Sequence, residues 1–377
     1  MRVKLGDICE IVSGSTPKTN IEEYWDGDIK WITPAELNDE TYIITDSVRK
    51  ITELGVKKTG LTPFPKGTVI LSSRAPIGKV AIAGCEMYCN QGFKNLICSE
   101  KIDNRYLYWF LKGNTEFLQS LKEISKTIVA NIEINIPDKS VQTQIVDNLE
   151  KTSQIIRLRK QELSKLEELV RARFVELFGD ENNSKNWSIV HIEDVADVQV
   201  GVVIKPSQYY TDESNGIKAF RSLNVGAGFI KDSDWVYFTA EGHQKNSKSI
   251  LRENDLLIVR SGAPGTACVV TEDYVGCNAI DIIIAHPDCE KVNPYYLCTF
   301  TNMPHGKKQI VEGTGGAAQQ HFNVGKYNKL QLMLPPKELQ DKFVEFINQI
   351  AKSKAAVQKA LDQAQLLFDS LMQEYFG

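Results

Sequence analysis

Hydroxyl, amide and guanidinium side chains gather in the loops of two separate stretches of the chain, between short apolar runs. Such side chains suit contact with DNA, because arginine matches the acceptors of a guanine edge and asparagine or glutamine matches an adenine edge. Lysine, serine and threonine more often hold phosphates. In the first stretch the candidate DNA contacts are Ser15, Thr16, Lys18, Thr33, Asn38, Ser73, Arg74, Lys79, Asn90 and Gln91.

The second stretch carries the same residue types in equivalent places. Any one of these residues, taken alone, is better explained as an ordinary polar loop residue. Their recurrence in both stretches is what favours a shared role in binding DNA. The second set of candidates is Lys205, Arg221, Asn224, Arg260, Ser261, Thr266, Asn278, Lys307, Lys308, Gln319, Gln320 and His321.

The two stretches belong to a longer internal repeat. Leu5-Gly6-Asp7-Ile8 matches Ile192-Glu193-Asp194-Val195 at an offset of 187 residues, and Phe178-Gly179 matches Phe376-Gly377 at an offset of 198. Weak matches between these points keep the same order along the chain. Because repeats of one structural unit produce this kind of ordered self-similarity, we expect a duplication.

Each copy has an N-terminal part of mixed strands and helices, its front, and a helical C-terminal part, its back. Short β-branched runs, such as residues 68–71 and 280–284, are separated by turn residues and predict strands, and helices should follow Asn104 and Asn293. The chain should therefore be α+β. We expect a mixed α/β domain at 1–135, a long helix at 136–180, a second mixed domain at 185–333 and a second long helix at 334–377.

Apolar residues recur every seven positions in both helical backs, which predicts helices that pack on each other as an antiparallel coiled coil. Forty residues of helix span roughly 60 Å. A duplicated chain of this kind can place its globular domains at opposite ends with approximate two-fold symmetry. The expected seam residues are Leu149, Ile156, Leu163, Val170, Leu177, Phe343, Ile350, Val357, Ala364 and Leu371.

Motifs that would indicate catalysis or metal binding are incomplete in this sequence. Asn293-Pro294-Tyr295-Tyr296 resembles an adenine methyltransferase motif but lacks its second proline, and Asn-Pro is a good helix start. All five histidines lie in the second copy, whereas a duplicated enzyme should carry its general base in both. The eight cysteines show no paired zinc spacing. We expect a binding protein with no catalytic residue, metal or cofactor of its own.

Composition agrees with an ordinary globular protein. The chain has 377 residues and is 42% hydrophobic, which suggests about two domains. It lacks both a run of roughly 20 apolar residues and the apolar core of a secretory signal, so we expect a soluble, cytoplasmic protein. The net charge of −4 is unusual for a protein that binds DNA by itself.

Several segments resemble one family, the specificity subunits of type I restriction-modification systems. Two of these segments, residues 5–17 and 31–37, lie near the start of the first copy. Residues 70–79 and 257–266 are equivalent segments of the two copies, and residues 332–340 lead into the second long helix. The order of recognition domain, helix, recognition domain and helix is similar to that of the family over essentially the full chain. This four-part order is more specific than any single motif.

The resemblance implies a function for each part. Each target recognition domain would read one half of a bipartite site in double-stranded DNA, and the helices would set the spacer and dock two methyltransferase subunits. S-adenosylmethionine would belong to the methyltransferase subunits, and ATP and Mg to motor-nuclease subunits. The net charge of −4 leads us to expect that the methyltransferase subunits share the phosphate contacts. The alternatives are a methylation-only or type IIB-like system and, from another class, a coiled-coil scaffold that does not bind DNA.

Overall fold

The computed structural model describes residues 2–121, 124–314 and 322–377. Contacts within the chain define two compact units, which we call unit 1 (Met1–Gln161 with Gln358–Gly377) and unit 2 (Glu162–Val357). Both boundaries fall inside long helices, so each unit contains part of both. The domains expected from the sequence, 1–135, 136–180, 185–333 and 334–377, are a different division that treats each long helix as a part of its own.

Unit 1 combines short strands with helices, which agrees with the α+β class. In the described residues the sheet orders are β2-β9-β6-β7-β4, β5-β3-β8 and β1-β10. The strands are β1 (Arg2–Lys4), β2 (Cys9–Val12), β3 (Trp25–Ile32), β4 (Ile43–Ile44), β5 (Arg49–Ile51), β6 (Val69–Ser72), β7 (Val80–Ala83), β8 (Tyr88–Cys89), β9 (Phe93–Cys98) and β10 (Glu133–Asn135). The helices are α1 (Glu53–Thr59), α2 (Asn104–Gly113), α3 (Thr115–Ser120), α4 (Lys126–Asn131) and the long α5 (Lys139–Phe178).

Unit 2 has a similar arrangement. Its sheet orders in the described residues are β12-β19-β16-β17, β13-β15-β14-β18 and β11-β20. The strands are β11 (Ser188–His191), β12 (Ala196–Val200), β13 (Tyr210–Thr211), β14 (Ile217–Phe220), β15 (Val236–Phe238), β16 (Leu256–Val259), β17 (Ala267–Val269), β18 (Asn278–Ala279), β19 (Ile282–Pro287) and β20 (Gln331–Leu334). The helices are α6 (Ala240–Lys245), α7 (Pro294–Asn302), α8 (Pro304–Thr314), α9 (Val324–Asn328) and the long α10 (Lys337–Phe376).

The central strands are apolar at every position because both faces of their sheets are covered. In β6, Val69 and Leu71 join the core around α2, while Ile70 joins a second core on the other face. In β16, Ile258 and Leu257 divide between two cores in the same way. Since side chains alternate along a strand, such uninterrupted apolar runs indicate burial on both sides.

The two long helices begin and end at the signals that the sequence carries. Each has 40 residues and starts shortly after a proline, Pro137 before α5 and Pro336 before α10. Gly179 follows α5 with φ of +89°, the left-handed conformation that ends a helix and that glycine adopts most easily. A proline inside a helix would remove a backbone hydrogen bond, so Pro137 and Pro336 mark where the two helices begin. Gly179 marks where α5 ends.

The seven-residue apolar positions lie on protected faces of both helices. All ten predicted seam residues are buried or partly buried, and none is exposed. In unit 2, Glu167 of α5 bonds to Lys354 of α10, and Phe174 of α5 lies against Phe343 of α10. Residues further along α5 therefore contact residues that come earlier in α10. The parts of the two helices inside unit 2 therefore run antiparallel.

A buried glutamine near the start of each long helix fastens it to its own unit. In unit 1 the Gln142 amide donates to the carbonyl of Lys101 over 3.1 Å and accepts from the backbone N–H of Asp103 over 2.8 Å. In unit 2, Gln340 donates to Lys291 over 3.3 Å and accepts from Asn293 over 2.8 Å. Buried amides are normally hydrogen-bonded. The two glutamines make the same pair of bonds at the start of α5 and of α10.

The described residues were searched for membrane-spanning helices. Across residues 2–121, 124–314 and 322–377, no helix is both long and apolar enough to cross a membrane. The same part of the chain contains no group of three or more His, Cys, Asp or Glu side chains that could hold a metal ion.

Candidate nucleic-acid interface

In unit 1 the loop of residues 13–18 lies directly on the end of β8 and on the residues just after it. A Cβ at Gly14 would lie 1.8 Å from the carbonyl oxygen of Cys89, so only glycine permits this approach. The Thr16 hydroxyl donates to the Gln91 amide oxygen over 2.6 Å. Ser15, Lys18 and Gln91 are exposed, and Thr16 is half-buried. The fold thus brings four of the predicted contacts together.

Two buried indole groups hydrogen-bond to the backbone of this loop. The N–H of Trp31 donates to the carbonyl of Ser15 over 3.0 Å, and that of Trp25 donates to the carbonyl of Lys18 over 3.1 Å. Both tryptophans are buried and pack edge to face at 5.1 Å. The backbone carbonyls point inward to these donors, and the side chains of Ser15 and Lys18 remain at the surface.

A second loop joins the same cluster. The backbone N–H of Ser73 donates to Gly92 over 2.7 Å, and the Asn90 side chain accepts from Gly92 over 2.9 Å. Ser73 is buried, Asn90 is half-buried, and Arg74 is exposed beside them. Ser73 therefore orders the backbone while Arg74 extends from it.

Thr33 and Asn38 order their own segments. The Thr33 backbone N–H and hydroxyl both donate to the Glu36 carboxylate, which closes the turn of the 3₁₀ helix Pro34–Glu36. The Asn38 side-chain oxygen accepts from the backbone N–H of Glu40 and from the Thr41 hydroxyl, both over 2.9 Å. Thr33 is half-buried, whereas Asn38 is exposed at a loop tip.

Lys79 is held in an ion pair. Its ammonium donates to the Asp39 carboxylate over 2.5 Å, and this hydrogen bond lowers the pKa of Asp39. The ammonium of Lys112 donates to the backbone carbonyl of Asp39 over 2.8 Å. Lys79 therefore ties the loop of residues 73–79 to the loop that carries Asn38.

Lys94 lies in the same cluster and was not predicted from the sequence. Its ammonium is 3.4 Å from the Ser73 hydroxyl and 3.2 Å from the carbonyl of Phe93. Its neighbours Phe93 and Asn95 are buried, while Lys94 is half-buried. The available signal was a charged residue inside the largely apolar run of β9, since successive side chains of a strand point to opposite faces and a lysine there would face away from the core.

In unit 2, Arg260 fastens three segments together. Its guanidinium donates to the Asp281 carboxylate and, over 3.2 Å, to the carbonyl of Phe322. The backbone N–H of Asp281 donates to Val202 over 3.1 Å, which connects the loop that carries Lys205. Only 16% of the Arg260 side chain is exposed, whereas Lys205 is exposed.

Asn224 and Asn278 are buried, and their hydrogen-bonding atoms are used within the protein. Asn224 accepts from the backbone N–H of Arg221 over 2.9 Å and donates to Ser233 over 2.7 Å. Asn278 donates to the Ser249 hydroxyl over 2.8 Å. The Arg221 guanidinium donates to the carbonyl of Asp234. In this structure these side chains order the backbone of unit 2.

The remaining described candidates of unit 2 lie in α8 and in the loop between β16 and β17. The Lys307 ammonium is 3.3 Å from both the Thr266 hydroxyl and the carbonyl of Pro264, and burial lowers the pKa of Lys307. Lys308 is exposed, 3.5 Å from the Glu181 carboxylate. Ser261 is half-buried on the rim of an open cavity. Gln319, Gln320 and His321 lie outside the described residues.

Comparison with known protein families gives matches in both halves of the chain. The family model described as "Type I restriction modification DNA specificity domain" matches residues 1–168 and 184–364. The specificity subunit of the type I restriction enzyme MjaIX from Methanocaldococcus jannaschii is 27% identical, covering 98% of this chain and 90% of that protein. The MjaVIII specificity subunit of the same organism is 24% identical over 68% of this chain and 62% of its own length.

Solved structures show a similar fold. A structure from work on complex assembly and conformational transition of the type I R-M system has a TM-score of 0.63 at 17% identity, covering 100% of this chain and 97% of its own. The crystal structure of a type I restriction-modification system S subunit from M. genitalium has a TM-score of 0.58 at 14% identity, covering 100% and 96%. At these identities the likeness concerns the fold.

Proposed function

The chain belongs to the type I restriction-modification DNA specificity family and has the role of a specificity subunit, and from that premise we propose how it works. Unit 1 and unit 2 each read one half of a bipartite site in double-stranded DNA. The observation that carries this proposal is that polar loops gather beside the central sheet in both units. Two separate recognition surfaces in one chain permit two different half-sites, unlike the palindrome of a homodimer.

The family is non-catalytic, and we propose that chemistry resides on partner subunits. Methyltransferase subunits would hold S-adenosylmethionine, and motor-nuclease subunits would use ATP and Mg. A net charge of −4 suits this division, because partners that share the phosphate contacts reduce the need for a basic surface on this chain. We expect the complex to work in the cytoplasm.

The burial of individual side chains divides the predicted contacts into two roles. Exposed residues, such as Lys18, Arg74 and Lys205, would contact bases and phosphates. Asn224 and Asn278 would instead shape the recognition loops, because base contact would break the hydrogen bonds that they make inside unit 2. Leaving such buried groups unpaired costs about 1–3 kcal/mol each.

Replacement of Arg260 by alanine should weaken recognition of one half-site only. The substitution removes the bonds to Asp281 and Phe322, so the loop of residues 260–266 loses its anchor. Hydrogen bonds to charged groups are worth about 1.5–3 kcal/mol, or roughly ten- to hundredfold in discrimination. Competition binding with the methyltransferase complex, using duplexes altered in one half or the other, measures this effect.

Arg252→Ala is the matched control for this experiment, because Arg252 is an exposed arginine of the same unit. It should leave discrimination in both halves unchanged. If Arg260→Ala reduced discrimination equally in both half-sites, the assignment of one half-site to each unit would be wrong.

We propose that exposed apolar side chains on the long helices dock the methyltransferase subunits. In unit 1, Leu366 and Leu367 of α10 are 73% and 53% exposed, and Ile155 and Leu158 of α5 are also exposed. Helix surfaces that face only water are normally polar. Clusters of exposed apolar side chains mark surfaces that bind other proteins.

Introducing charge at these positions should weaken the complex. We expect the double variant Leu366→Glu, Leu367→Glu to recover several-fold less methyltransferase in co-purification, because each carboxylate would lose water at the interface. Gln363→Glu adds a carboxylate at another exposed position of α10 and should have no such effect. Equal recovery by all variants would place the methyltransferase contact elsewhere.

A further inference from the structure

A short hairpin in unit 2 presents an exposed aromatic ring. Val225 and Ile230 pair as an antiparallel bridge, and the backbone N–H of Gly226 donates to Phe229 over 2.8 Å. Gly228, with φ of +85°, donates to the carbonyl of Ala267 over 2.8 Å and so fastens the hairpin to β17. The hairpin is therefore ordered, yet 57% of Phe229 is exposed.

Phe229 forms one wall of an open cavity of about 440 Å³. Leu223, Val225 and Val259 supply further apolar lining, and 43% of Leu223 is exposed. Ser261, which the sequence analysis assigned to DNA, lies on the rim. An apolar cavity is thus set into the recognition loops, beside side chains that suit DNA.

The corresponding place in unit 1 is polar. In the 3₁₀ helices Pro34–Glu36 and Ser222–Asn224, the side chain of the last residue accepts from the backbone N–H of the residue before the helix, so the segments after them correspond. Asp39 occupies the unit 1 segment and binds Lys79 over 2.5 Å. The matching segment of unit 2 has the hairpin with Phe229. The two units therefore present different chemistry at equivalent loops.

We propose that this cavity receives the C5-methyl edge of a thymine in the half-site read by unit 2. The inference rests on the proposed function. Among the groups at the major-groove edge of DNA, the thymine methyl is the apolar one, and phenylalanine is one of the side chains that contact it. At about 440 Å³ the cavity has room for a methyl group, and Ser222, Lys231 and Thr266 add polar residues to its lining.

The test replaces thymine by uracil, which removes only the methyl group. Duplexes carrying the recognised site are prepared with each thymine of both half-sites replaced in turn, and their affinity for the methyltransferase complex is measured. Burial of one methyl group corresponds to about fourfold in affinity. We expect a loss of about this size at a thymine in one half-site, and no loss at the same thymine with Phe229→Ala.

Leu223→Ala should reduce the same sensitivity, which provides a second variant. Val275→Ala is the matched control, because Val275 is an exposed apolar residue of unit 2 outside the cavity. Wild-type complex that binds every uracil duplex as tightly as thymine DNA, or Phe229→Ala complex that keeps the sensitivity, would overturn the proposal while specific binding remained. Loss of methyltransferase with Phe229→Ala would make the cavity a protein site. Absence of any specific binding would reject the proposed function itself.

Discussion

Seven residues inserted into α5 after Gln161, together with seven inserted into α10 after Val357, should lengthen the unread spacer of the DNA site and change neither half-site. Seven helical residues add about 10 Å, which corresponds to about three base pairs at 3.4 Å each. If the helices act as a ruler, the spacer should lengthen by that amount. The bases read by the loops of unit 1 and unit 2 should stay the same.

The positions and length of these insertions follow from the structure. Both insertion points are boundaries between unit 1 and unit 2, so the contacts inside each unit are preserved. Seven residues keep the repeat in phase, and the seam residues on either side of each insertion therefore keep their faces. Both helices must change together, because the Glu167–Lys354 bond shows that residues of α5 and α10 are paired inside unit 2.

Methylome sequencing of a host that expresses the variant with its methyltransferase gives the site directly. Lys160→Ala with Lys359→Ala is the control, because both lysines are exposed helix positions near the insertion points and their replacement leaves the length unchanged. An insertion in α5 alone should abolish methylation, since the paired helices would no longer match. An unchanged spacer in the double insertion would refute the ruler.

Local signals in the sequence mark the ends of the two long helices. The prolines before α5 and α10 and the glycines after them act on the backbone directly, so no knowledge of the tertiary fold is needed. Asn293 caps α7 as expected, with Pro294 in the first turn. The equivalent cap of α2 is Asp103, one residue before the Asn104 that the repeat matched to Asn293. The repeat alignment paired Asn293 with Asn104 because both are asparagine, although aspartate and asparagine cap a helix equally well.

The roles of individual site residues were harder to predict. A sequence shows that Asn278 is a polar residue, but it does not show that the Ser249 hydroxyl and the His243 ring bind its amide. Arg260 is similar, because its partner Phe322 is 62 residues away along the chain. Such partners are set by the fold, whereas residue type and local pattern are set by the sequence. The sequence could therefore indicate polar loops, but not which side chains within them are exposed.

Phe343→Ala should be among the most destabilising single substitutions in unit 2. Phe343 is fully buried, and its ring meets those of Phe174 and Phe178 edge to face at 5.6 and 5.3 Å. Tyr296 of α7 stacks on Phe174 at 5.7 Å, so this cluster joins both long helices to the domain. Removing a buried phenylalanine costs about 3–5 kcal/mol, because both the transfer free energy and a cavity are involved.

Urea unfolding of the full chain measures the change, and Lys342→Ala is the matched control. Lys342 is the exposed neighbour of Phe343 on α10, and its replacement should change the free energy of unfolding by about 0.5 kcal/mol or less. Since Phe174, Phe178 and Phe343 all belong to unit 2, the transition of that unit should shift while unit 1 keeps its own. A loss below about 1 kcal/mol would mean that the long helices are held to unit 2 by other contacts, such as the Gln340 hydrogen bonds.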